Sequence, residues 1–120
     1  MLNLSLLICT KNSAKSIISC LNSSLPILKE GAELILVDGR SSDNTIRLVL
    51  KFLDIHNIIY YKIISQLNRG IYEAFNLAIR NSTRKKVLFL HSDDLLKNTQ
   101  TLIIDVCNAN ADIMFYGVEI

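Results

Sequence analysis

Residues 34–50 read LILVDGRSSDNTIRLVL, and that stretch decides the fold. Leu34 to Val37 form an apolar run too short for a helix and suited to a buried strand. A polar turn follows, from Asp38 to Asp43. Apolar residues then return at Ile46, Val49, Leu50 and Leu53, the spacing of one helix face. Ser42 or Asp43 supplies a side-chain oxygen of the kind that caps such a helix. Strand, polar turn and helix make one unit of an α/β layer.

The unit recurs on both sides. Leu4 to Cys9 reads as a strand, followed by Ala14, Ile17, Ile18, Leu21 and Leu25 at helical spacing, with Ser13 as N-cap and Pro26 just past the end. Ile58 to Ile64 reads as a third strand, and Ile71, Ala74, Phe75, Ala78 and Ile79 as the helix after it. Lys86 to Leu90 gives a fourth strand. Leu102, Ile103, Val106 and Cys107 give a fourth helix, capped by Asn98 or Thr99, and Ile113 to Tyr116 a last strand. Alternating strands and helices predict a mainly parallel sheet of about five strands with helices on both faces. Near-continuous apolar strands agree, because a covered parallel sheet is buried on both sides. No repeat, low-complexity tract or linker divides the chain, so residues 1–120 are expected to form a single domain.

Composition narrows the class further. Half of the 120 residues are hydrophobic, and 13 Lys+Arg against 11 Asp+Glu leave a formal charge of +2. Disorder needs low hydrophobicity and high charge, and neither holds. So small a charge steers weakly onto polyanions, which argues against nucleic acid as a partner. No apolar run is long enough to cross a bilayer, and Met1 to Ile8 lacks the basic flank of a signal peptide. A cytoplasmic protein, at most peripheral to the inner face of the membrane, is expected. Cys9, Cys20 and Cys107 form no C-x-x-C pair, so reduced and mostly buried thiols are expected.

In an open parallel sheet, ligands bind beyond the carboxyl ends of the strands. The loops there are Thr10-Lys11-Asn12, Asp38 to Asp43, Gln66 to Gly70, and His91-Ser92-Asp93-Asp94. Asp93 and Asp94 repel each other unless a cation sits between them, and a hard divalent ion with oxygen ligands answers that; a turn cap is the competing reading. Asp38 suits either a bond to a nucleotide or a turn before Gly39. Arg69 suits either a diphosphate or solvent. His91 reads as a metal ligand, a pocket wall or an ordinary loop residue. Arg84-Lys85-Lys86 reads as solvated surface. Neither G-x-G-x-x-G nor G-x-x-x-x-G-K-[ST] is present.

Together these loops resemble the N-terminal, nucleotide-sugar-binding half of a family 2 glycosyltransferase of the GT-A fold, a truncated Rossmann-like architecture. Residues 6–12 resemble the family's opening strand and its Pro-Thr-Tyr-Asn turn. Residues 34–45 resemble its Val-Asp-Gly-Gly-Ser-Thr-Asp-Gly-Thr segment. Residues 68–76, Asn68 to Asn76, resemble its Asp-Lys-Gly-Ile-Tyr-Asp-Ala-Met-Asn block, and residues 87–94 the strand entering its metal-binding D-x-D region. Residues 111–117 resemble a following strand in one branch. Cys9 and Lys11 stand where Pro and Tyr are usual, and His91 stands where the first acid of D-x-D often lies.

The resemblance implies a transferase that passes sugar from a nucleotide diphospho-sugar, a UDP-sugar above all, to a glycan or lipid-linked acceptor. Thr10, Asn12, Asp38, Gly39, Arg69 and Ser92 would hold the donor, Asp38 by accepting from a uracil-type N–H and Arg69 near the diphosphate. Asp93 and Asp94 would bind Mn²⁺ or Mg²⁺. The family's catalytic base and acceptor elements lie beyond its D-x-D region, and neither Asp112 nor Glu119 is assigned that role, so the catalytic residues stay unknown. The expectation is a donor-binding half, weakly active or inactive by itself. A non-catalytic nucleotide-binding module and an inert fragment are the alternatives. The apolar strand from Ile113 to Tyr116 also predicts a homo-oligomer paired through that edge.

Overall fold

The computed structural model describes residues 2–67, 70–108 and 113–114. Nine elements alternate: β1 (Leu4–Thr10), α1 (Ile17–Lys29), β2 (Glu33–Asp38), α2 (Thr45–Ile55), β3 (Tyr61–Ser65), α3 (Ile71–Asn81), β4 (Lys86–His91), α4 (Thr99–Asn108) and β5 (Ile113–Met114). The strands form one sheet in the order β3-β2-β1-β4-β5. Every described pairing is parallel. The fold is α/β and Rossmann-like, with four strands of five to seven residues and a fifth of two. Phe115 and Tyr116, read as part of the last strand, lie outside the described residues, as do Asp112 and Glu119.

The even and odd residues of β1 face different cores, as pleating requires. Leu4, Leu6 and Ile8 join Leu34 and Leu36 of β2 under α1, α2 and α4. Leu7 joins Ile35, Val37 and Val87 under Ala78 of α3. Helices therefore cover both faces. Each fully buried leucine or isoleucine contributes roughly 1.5–3 kcal/mol through removal from water. Strand β3 departs from the expected pattern. It begins at Tyr61, three residues after Ile58, and its residues are exposed or half-buried because it forms the sheet's edge. Ile58 is buried, and its amide donates to the Leu53 carbonyl at the end of α2.

Helix α1 corrects a second expectation. Its buried face runs Ile17, Cys20, Leu21, Ser24, Ile27 and Leu28, straight past Pro26, which lies inside the helix. A proline there removes one backbone donor and leaves the Asn22 carbonyl without its i+4 partner. Pro26 and Asn22 are both exposed, so the interruption falls on the solvent side of the helix. The helix begins after a turn at residues 13–16, and Ser13 contributes its carbonyl to the Ser16 and Ile17 amides.

The chain runs outward from β1 to β2 and β3, then returns to lay β4 on the other side of β1. That reversal opens a crevice at the carboxyl ends of β1 and β4, where ligands settle in open parallel sheets.

Candidate functional site

A cavity of about 480 Å³ occupies that crevice. Its floor is made by Cys9, Val37 and His91, register partners at the ends of β1, β2 and β4. The end of β1 contributes Thr10, the loop after it Lys11, Asn12 and Ser13, and the loop after β2 Gly39. Gln66 and Leu67 follow β3, Gly70, Ile71 and Ala74 open α3, and Ser92 and Asp93 follow β4. Four loops read as polar chemistry in the sequence thus meet in one place.

Hydrogen bonds between the first two loops build the wall. Thr10 Oγ1 donates to Asp38 Oδ1 at 2.7 Å, and the Ser41 hydroxyl and amide donate to Oδ1 and Oδ2 at 2.6 and 2.8 Å. Asp38 is buried and stands behind the lining rather than in it. Three bonds leave Oδ2 with lone-pair capacity to spare. Asn12 adopts φ +50° and its Oδ1 accepts from the Ser42 amide at 2.7 Å and the Asp43 amide at 3.3 Å. Lys11 Nζ donates to the Gly39 and Arg40 carbonyls at 2.8 and 3.1 Å. Arg40 is held at φ +57°, a conformation that costs a residue with a Cβ about 1 kcal/mol or more.

A second set of bonds ties β4 to this wall. The Ser13 hydroxyl lies 3.0 Å from that of Ser92, and the Ser13 amide donates to Thr45 Oγ1 at 2.8 Å. Asp43 Oδ1 takes the Thr45 amide at 3.0 Å, but the N-cap of α2 is Asn44, which makes no side-chain cap bond, rather than Ser42 or Asp43. The Thr45 hydroxyl, ahead of the smaller opposing effect of desolvation, holds the Asp43 carboxyl below its ordinary range.

The adjacent acids part company. Asp93 is exposed and lines the cavity. Asp94 is buried, outside the lining, with its amide donating to the His91 carbonyl at 3.0 Å. The pair expected to share one ion therefore presents a single carboxylate to the cavity, because consecutive residues in a turn point different ways. The charge of Asp94 also acts on Cys20, a buried thiol of α1. Burial, then the charges of Asp94 and Asp93, push that thiol up to about 12. Burial alone pushes Cys9 to about 12 as well, so the thiol on the cavity floor is protonated and a poor nucleophile. His91 closes β4 with its ring edge-on to Phe75, centroids 6.0 Å apart, which makes it a cavity wall.

Of the expected donor residues, Thr10, Asn12, Gly39 and Ser92 line the cavity and Asp38 supports it. Asn68 and Arg69 lie outside the described residues. Gln66, part of a loop the sequence offered, lines the cavity, whereas Ser13 and Ala74 line it without having been singled out for that role. Ser13 was visible only as a cap, and Ala74 only as part of a helix stripe.

Among the described residues, no three His, Cys, Asp or Glu side chains cluster as a metal cage. Asp93 is the carboxylate of the described lining. Mg²⁺ and Mn²⁺ sites commonly use one or two carboxylates, with waters and substrate phosphates completing the shell. The donor set fits an ion shared with a ligand and does not fit a cage built by protein alone.

A model of the family described as glycosyl transferase family 2 matches residues 5–112. The chain belongs to glycosyl transferase family 2. A PGL/p-HBAD biosynthesis glycosyltransferase of Mycobacterium bovis (strain BCG / Pasteur 1173P2) is 35% identical over 104 residues, covering 82% of this chain and 38% of the relative. The chain thus spans well under half the length of the curated family members it matches. Among solved structures, S. aureus TarS 1-349 superposes with a TM-score of 0.73 at 29% identity, over 87% of this chain and 31% of that one. The same protein in complex with UDP gives 0.67 at 29% identity, over 85% and 32%. The mannosyltransferase PcManGT from Pyrobaculum calidifontis, in complex with GDP-Man and Mn²⁺, shares the fold with a TM-score of 0.74 at 24% identity, over 84% and 30%.

Proposed function

We propose that residues 1–120 are the donor-binding part of a glycosyltransferase whose substrate is a nucleotide diphospho-sugar. One observation carries this reading: in a family 2 chain, the loops after β1, β2 and β4 enclose one cavity at the sheet's switch point. We assign the nucleoside end to β2, where Thr10 and Gly39 form the wall and the spare lone pair of Asp38, directly behind it, would accept a base N–H. Asn12 holds that wall in shape. We assign the diphosphate end to β4, with Ser92 as a hydroxyl donor; Arg69, the cation the resemblance implies near the diphosphate, lies outside the described residues. A uridine nucleotide is favoured because TarS, 29% identical, was solved in complex with UDP.

Asp93 would hold a divalent ion at the β4 end, and Asp94, turned inward, would add charge without coordinating. Such an ion, when bound, stabilises negative charge on the departing nucleotide diphosphate. The chain's own residues bind and orient the donor. The base that takes the acceptor's proton is assigned to the length of the relatives that these 120 residues do not match. Without it, a loss of roughly 10²- to 10⁴-fold is expected from acid–base chemistry alone. The 120-residue chain should therefore bind donor and show no multiple-turnover transfer.

Calorimetry on the 120-residue chain tests the reading. UDP should bind more tightly with Mn²⁺ than with chelator, and Asp93→Ala should abolish the difference. Absence of UDP binding at millimolar concentration would sink the donor site. Equal affinities for parent and Asp93→Ala in Mn²⁺ would remove the metal role.

A further inference from the structure

Lys11 is the cation of the cavity wall among the described residues. Its ammonium is not loose. Bonds to the Gly39 and Arg40 carbonyls hold it at the β2 end of the cavity. Asp93 and Ser92 stand at the β4 end, with β1 between. Two strand spacings of about 4.8 Å separate those ends. Swinging toward Asp93 would cost Lys11 both carbonyl bonds.

An ammonium carries three N–H donors and no acceptor. The two carbonyls take two donors and leave one for whatever enters the cavity. A donor-only group beside a nucleobase meets either an exocyclic keto oxygen, which accepts, or an exocyclic amino group, which does not. We propose that Lys11 Nζ donates to the exocyclic keto oxygen of the donor's base, O4 for uracil, and so selects keto bases over amino bases. This rests on the nucleotide-sugar reading above, with the base at the β2 end. It gives Lys11 two tasks at once: to hold the Gly39–Arg40 backbone, and to read one atom of the ligand.

The discriminating probe is 4-thio-UDP, which retains the ring N–H available to Asp38 but replaces O4 with sulfur, a weak acceptor. Binding of UDP and 4-thio-UDP is measured by calorimetry in Mn²⁺ for the parent and Lys11→Met. The parent should bind the thio analogue about tenfold more weakly, or worse, as expected for a lost charge-assisted hydrogen bond. Lys11→Met should bind UDP about as weakly as the parent binds the analogue, and should no longer distinguish the two. Equal affinity of the parent for both nucleotides overturns the proposal without any variant. A variant that weakens both alike and keeps their ratio also overturns it, because that is the result of a loop pin or a phosphate contact. Failure of the parent to bind either nucleotide overturns the donor-site reading itself, a result distinct from equal binding.

Discussion

Glu33 shows how a single charged residue can sit inside an apolar strand without harm. It opens β2 at the end of the sheet opposite the cavity, and only 7% of its surface is exposed. Ser5 Oγ and the Thr83 amide donate to its Oε1 at 2.9 Å each, and Thr83 Oγ1 donates to Oε2 at 2.8 Å. Burial pushes its carboxyl up, but the Thr83 amide and hydroxyl, the Ser5 hydroxyl and the Lys62 charge outweigh it, and the group titrates below its usual range. A folded-state value below the unfolded one stabilises the protein at pH values above the unfolded carboxylate's, about 4.3. That contribution is lost as pH falls through the folded value. Glu33→Gln should cost on the order of 1–2 kcal/mol at neutral pH, since the amide cannot replace all three bonds to an anion. The gap between parent and variant should narrow below pH of about 4, and denaturant unfolding across that range measures it. A gap constant from pH 7 to 3 would show that Glu33 is not held as the charged form.

At the scale of elements, Pro26 offers the sharpest case. The stripe of α1 continues through it, yet a proline is the strongest local signal that a helix has ended. Pro26→Ala restores one backbone donor on the exposed side, and thermal unfolding should show a gain on the order of 1–3 kcal/mol. A loss would mean that the restriction proline places on the unfolded chain outweighs the missing bond. The same element shows what sequence could and could not tell. Strands β1 and β2 were legible because both faces are covered, so Leu6 to Ile8 and Leu34 to Val37 are apolar throughout. Strand β3 was legible as a strand but not in its bounds, because at the edge Tyr61 and Ser65 are free to be polar or exposed. At the site, the loops were legible because their polar residues exceed what short connections need. That Asp93 faces the cavity while Asp94 turns inward was not, since two adjacent acids carry no mark of which way the turn will send them. Nor did the sequence mark the Lys11 bridge, which depends on backbone carbonyls 28 and 29 positions away.

For the whole molecule, the returning strand sets the order of events. Strand β1 meets β2 at a separation of 28 positions, Leu6 to Leu34, but meets β4 at 82, Leu4 to Lys86. Closing the longer loop costs about 1 kcal/mol more in chain entropy. Pulse-labelled hydrogen exchange during refolding should therefore protect β2 amides before β4 amides, and simultaneous protection would contradict this. The cavity, which needs β4, then forms after the β1–β2 pairing. A growing polypeptide meets the same order in time. At about 5–20 residues per second, the 26 residues between the ends of β3 and β4 take roughly 1–5 s to synthesise. Throughout that interval the outer edge of β1 offers bare amides and carbonyls along one of the most apolar strands of the protein. Such an edge templates pairing with neighbouring chains. Successful production in a cell thus depends on how crowded the ribosomes are while β1 waits, and on chaperones able to cover an unpaired strand for a few seconds.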